Sequence, residues 1–228
     1  MDSWERRLLL AAAIVLTVAA IYYLACKAWR WRRGAAFTIE QTSPRRSSLD
    51  GQEYRVHEGH LGSSEAADRL AELNGRVVAL LRHLRAKYVR GSASVYHPAR
   101  RAAVELLLAR YNQDNLAENS PRDPTGDTAY SLNKGAIVAI CLRDRTSPDS
   151  IHDIEILTFV TLHEMAHIAI VENTSNHPLN FWRVFRFLLD EAENAQIFVS
   201  PHYAENPVNY CGKLVDFSPR WDERLVPI

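Results

Sequence analysis

Thr161-Leu162-His163-Glu164-Met165-Ala166-His167 sets two histidines four residues apart, with a glutamate directly after the first. On an α-helix, positions i and i+4 lie one above the other on the same face. His163 and His167 can therefore aim two imidazoles at one metal ion, with Glu164 beside them. H-E-x-x-H on a helix is the working pattern of zinc peptidases. Imidazole suits Zn²⁺, and a catalytic ion needs three protein ligands and an open position for water. A carboxylate next to that position can take the water's proton as it attacks a carbonyl. Ile154, Leu157, Thr158, Leu162, Met165, Ile168 and Ala169 predict an apolar helix surface, and no proline interrupts residues 151–171. Two histidines and a glutamate in a buried helix are costly without a strong partner, which weighs against plain core packing.

A third ligand is expected downstream. His177 follows His167 by ten residues, in the turn-forming stretch Glu172-Asn173-Thr174-Ser175-Asn176-His177-Pro178. The first helix should end near Glu172, and Pro178 suits the first turn of a second helix. The chain can fold back there and bring His177 to the metal. Glu191 and Glu193, on that second helix, are the competing ligands, and His177 is preferred. Phe181 and Trp182 read as core residues that hold the His177 segment in place.

These residues carry a resemblance. His163-Glu164-Met165-Ala166-His167, followed by His177-Pro178-Leu179-Asn180-Phe181-Trp182, resembles the WLM family of zinc metallopeptidases, relatives of the SprT-like proteases. Asn133 to Arg143 looks like the strand before the active helix. Asn206-Pro207-Val208-Asn209-Tyr210-Cys211-Gly212 resembles the tail of WLM-like proteins of giant DNA viruses and some algae. The resemblance spans roughly 130–212. It implies a zincin-like fold, one Zn²⁺ on His163, His167 and His177, and Glu164 as general base.

The remaining chain bounds the setting. At 228 residues it has room for an anchor and one ordinary domain. With 27 basic and 27 acidic residues it offers no global charge for nucleic acid. Cys26, Cys141 and Cys211 are too few and too scattered to suggest a disulfide framework, and Cys141 reads as a buried core thiol. Leu8 to Cys26 is 19 residues without a charge, flanked by Trp4, Tyr22, Tyr23, Trp29 and Trp31. That length predicts a membrane-spanning helix. A cleaved signal peptide is the rival, and the basic, aromatic end of the run argues against it. Lys27, Arg30, Arg32 and Arg33 then place the C-terminal domain in the cytosol. A viral membrane enters only through the resemblance.

The expected organisation is an anchor over 1–33, a flexible linker over 34–62 and a zincin-like domain over 63–228. The expected class is α+β, mainly helical with a small sheet. His57 and His60 fall in the linker and read as solvated. Leu70, Leu73, Val77, Leu81, Leu84 and Tyr88 form the apolar stripe of an amphipathic helix opened by Ser64. Pro98 opens another, through Tyr111. Residues 113–128 read as a surface loop, and Ala136 to Leu142 as a strand. An edge strand beside a zincin's active helix pairs with extended peptide, and the sequence leaves open whether this strand is that edge. Tyr203 and Tyr210 are unassigned candidates for donors to an oxyanion.

The functional expectation is a membrane-anchored zinc metallopeptidase acting on proteins or peptides. A non-proteolytic zinc-binding membrane or virion component is the alternative. Digestion of DNA–protein crosslinks is implied only by the family.

Overall fold

The computed structural model describes residues 4, 13, 15–23, 25, 41–91, 97–120, 126–172 and 176–228. The chain is α+β. A five-stranded mixed sheet runs in the order β1-β2-β3-β5-β4. Its strands are β1 (Thr42–Arg46), β2 (Glu53–His57), β3 (Leu116–Asn119), β4 (Ala129–Leu132) and β5 (Ile137–Cys141). The outer pairs β1–β2 and β4–β5 are antiparallel, whereas β2–β3 and β3–β5 are parallel.

Among the described residues the main helices are α1 (Ser63–Leu84), α2 (Pro98–Arg110), α3 (Ile154–Ala169) and α4 (Leu179–Asn194); α1 and α3 pack on the sheet, and α2 and α4 pack on α3. A π-helical turn, Arg85–Arg90, continues α1. A hairpin, β6 (Val208–Tyr210) and β7 (Lys213–Val215), follows. On α1, Leu70, Leu73, Val77, Leu80 and Leu84 are buried, with Leu81 packed at the margin. Helix α3 is buried nearly all round and packs on α1, α2, α4, β4 and β5. A helix that is apolar on every face belongs at the centre of a domain. Its Thr158 and Thr161 hydroxyls donate to the carbonyls of Ile154 and Leu157, so neither leaves an unmet polar atom in the core.

Several expectations need correction. Among the described residues no helix is long and apolar enough to cross a membrane. The transmembrane anchor over Leu8 to Cys26, and the single-pass localisation built on it, are therefore not supported. Residues 8–12, 14, 24 and 26–40 lie outside the described residues, and with them Cys26 and the basic flank from Lys27 to Arg33.

The second correction concerns the linker. Part of the stretch read as tether, 42–57, is the β1–β2 hairpin. Pro44 is tolerated because β1 is the sheet's edge, where a missing N–H costs no ladder bond.

The third concerns cysteine. Cys141 is not a free thiol: it forms a disulfide with Cys211, 70 residues away. This joins the end of β5 to the β6–β7 turn. Cys211 and Gly212 both have positive φ, 48° and 78°, as the tightest two-residue hairpin turn requires.

Strand β3 lies in the stretch read as a surface loop. Its Glu118 is fully buried and accepts from Arg143 Nε at 2.6 Å and from the His57 backbone N–H at 2.8 Å. Arg143, also fully buried, donates to the Leu61 and Pro148 carbonyls. The pair ties β2, β3 and the end of β5 together.

His57 beside it is buried rather than solvated, with its ring 5.1 Å from that of His60. Burial, then the charges of His60 and Arg143, hold its pKa down to about 4. The unfolded chain takes up a proton near pH 6.5 that the folded chain refuses until about 4. Stability present above pH 6.5 is therefore lost as pH falls through that window. After discounting for solvent screening the loss is about 2 kcal/mol. Urea unfolding at pH 7 and 4.5 should show the wild type losing about that much more than His57→Gln. Equal losses would remove His57 from the acid response.

Candidate metal centre

Asp153 begins the element that carries the site. Its side chain accepts from the Glu155 backbone N–H at 2.8 Å and caps α3. The other end of α3, just past His167, is closed by two cations. Arg110 donates to the carbonyls of Ile168 and Ile170, at 2.8 and 3.0 Å. Lys134 donates to those of His167 and Glu172. Both satisfy orphan carbonyls and sit at the negative pole of the helix.

Lys134 reaches them because the β4–β5 turn adopts positive φ at Asn133, Lys134 and Gly135. At Gly135 a Cβ would meet the Arg110 carbonyl oxygen at 2.8 Å, so the turn and the helix end interlock only with glycine there.

The three expected histidines converge. His177 Nε2 lies 3.1 Å from His163 Nε2 and 3.2 Å from His167 Nε2. Tetrahedral ligands at zinc–nitrogen distances of about 2.0–2.1 Å sit roughly 3.3 Å apart. The observed spacings are close to that edge. His177 Nε2 is common to both contacts, and whether it carries a proton or a lone pair it can satisfy only one of them well. A cation at the centre removes the conflict.

Burial lowers the pKa of all three rings: His163 well below the ordinary value, His167 to about 4, and His177 downward. The charges of His177 and Lys134 add to the effect at His167. All three are therefore neutral at pH 7, as metal ligation requires. The trio could hold a metal ion.

Phe181, fully buried, lies under the trio. Its centroid is 4.8, 4.4 and 4.5 Å from those of His163, His167 and His177. Trp182 lies against His177 at 5.3 Å, its ring tilted by 44°. Pro178 occupies the N-cap of α4 in extended geometry and starts the helix directly after His177. Residues 173–175 lie outside the described residues.

The competing ligands are engaged elsewhere. Glu191 is buried and accepts from His83, Lys87 and Tyr88. Glu193 accepts from Arg220 and from the Ser200 backbone.

Glu164 is buried, and its pKa is pushed up to about 8. Burial is the main cause and the charge of Asp127 adds to it, while a hydrogen bond from the Ser131 backbone N–H pulls the other way. Ser131 belongs to β4, an edge of the sheet. The edge beside α3 is thus β4, whereas β5, the strand legible in the sequence, is interior. Asp127 was missed by sequence reasoning. It sits in a polar stretch with no motif, and only the fold brings it to Glu164.

Of the two tyrosine candidates, Tyr210 is buried near Glu164, and burial and that carboxylate raise its pKa. Tyr203 instead feels Glu155 and Asp153, at the start of α3.

No family model matches this sequence, and no solved structure does. The relatives found are viral. The chain is similar to the uncharacterized protein R325 of Acanthamoeba polyphaga mimivirus, 29% identical over 205 residues that cover 90% of this chain and 93% of that one. It is also similar to the uncharacterized protein 136R of Invertebrate iridescent virus 6, 31% identical over 103 residues, 45% of this chain and 55% of that one.

Proposed function

We propose that the chain is a zinc-dependent peptidase of the WLM/SprT-like, zincin kind, with His163, His167 and His177 as ligands and Glu164 as general base. The observation that carries this reading is the convergence of three neutral Nε2 atoms on one point, with a buried carboxylate next along the helix. Three imidazoles, with no fourth His, Cys, Asp or Glu in the group among the described residues, suit a catalytic site better than a closed structural one.

Zn²⁺ bound there would supply Lewis-acid polarisation of a carbonyl and a water acidified to a pKa of about 7. The chain's own residues do the rest. Glu164 takes the proton of the attacking water and can hand it to the leaving amine. The Ser131 N–H holds one side of that carboxylate in place. A nearby dication favours the ionised carboxylate and so offsets the upward pKa shift. Strand β4, an edge of the sheet among the described residues, offers an extended peptide a place to add beside the base, which recognises main chain with little regard to sequence.

The test uses the full chain, loaded with zinc and offered a broad peptide library. We expect one zinc per chain, cleavage of the library, loss of cleavage on chelation and its return with zinc. Full zinc with no cleavage would favour a purely structural ion. Failure to bind zinc would reject the reading outright.

A further inference from the structure

The ring stack that begins at the metal ligand does not end in the core. Trp182 packs on His177 at 5.3 Å and is itself met edge-on by Phe217 at 5.5 Å. Phe217 is 44% exposed, and Leu179, one turn from Trp182 on α4, is 67% exposed. Positions i and i+3 share a helix face, so Leu179 and Trp182 lie together on α4, with Trp182 against His177 and Phe217 against Trp182.

The place of Phe217 is tied to the covalent framework. Phe217 lies two residues beyond β7, whose hairpin turn is bonded through Cys211 to Cys141 of β5. Strand β5 is also the partner of β4. Phe217 and the edge strand β4 are therefore both tied to β5.

We propose that Leu179, Trp182 and Phe217 select peptides with a large apolar or aromatic side chain close to the scissile bond. This rests on the peptidase reading of the centre. An extended peptide advances about 3.3 Å per residue, so ring spacings of 5.3 and 5.5 Å from His177 reach a side chain up to about three residues from the bond cleaved. An aromatic wall open to solvent gains most from a side chain that covers it.

Peptide hydroxamates test this without turnover. A phenylalanine is walked through three positions next to the hydroxamate, in an otherwise alanine peptide. Binding to the zinc-loaded full chain is measured by calorimetry. One position should bind about tenfold more tightly than the all-alanine parent. Phe217→Ala should bring that gain below about threefold, and Phe217→Leu should restore most of it. No gain at any position, or a gain unchanged in Phe217→Ala, overturns the proposal. A gain that depends on Phe217, in a chain that cleaves no peptide, upholds the wall and sinks the peptidase reading. Cleavage without any such gain does the reverse.

Discussion

Glu164→Gln should abolish peptide cleavage, by about 10³-fold or more, while zinc content stays at one ion per chain. Glutamine has nearly the same shape and keeps an oxygen for the Ser131 N–H, but it cannot accept the water's proton. The side chain is no ligand, since the group that converges is His163, His167 and His177. The variant should not be less stable. A carboxylate already driven toward its neutral form by burial and Asp127 loses little when replaced by a neutral amide. The measurement is single-turnover cleavage beside metal analysis and a melting curve. A variant that still cleaves at a tenth of the wild-type rate would remove Glu164 from the chemistry. One that sheds zinc would make it a structural residue.

The second large effect concerns the Cys141–Cys211 bond. It closes a 70-residue separation, and the chain-entropy estimate for such a loop is about 4 kcal/mol. Cys141→Ala with Cys211→Ala should lower the melting temperature by about 10 °C for a domain of this size. The loss should also loosen the β6–β7 hairpin, and with it Tyr210 near Glu164 and Phe217 against Trp182. Differential scanning calorimetry of the full chain decides it. A melting temperature within about 2 °C of the wild type would mean that packing alone seats the hairpin.

Much of the centre was readable in the chain because the relevant signals are local. The i, i+4 spacing of His163 and His167 needs only a helix, and the apolar residues around them dictate one. His177 was readable because a polar turn before Pro178 marks where the chain folds back. The stripe on α1 was readable for the same reason, since a 3.6-residue period is visible within one element.

What escaped depends on distant partners. Strand β3, Leu116-Ala117-Glu118-Asn119, is half polar, and it is buried only because Arg143 and the His57 N–H satisfy Glu118. Strand β1 contains Pro44 and two arginines, a composition that reads as loop unless the strand is known to lie at an edge. The disulfide joins residues whose spacing carries no motif. The anchor failed for the opposite reason: an uncharged run satisfied a length rule, and no helix described in the structure meets it.

The crosslink has a practical corollary for handling this molecule. Dithiothreitol, a routine additive in purification, offers paired sulfurs that can strip a soft divalent ion and can also exchange with a protein disulfide. Inactivation by it would therefore mix two injuries. A nitrogen-donor chelator such as phenanthroline strips the ion and leaves the sulfur–sulfur link whole, and so isolates the first from the second.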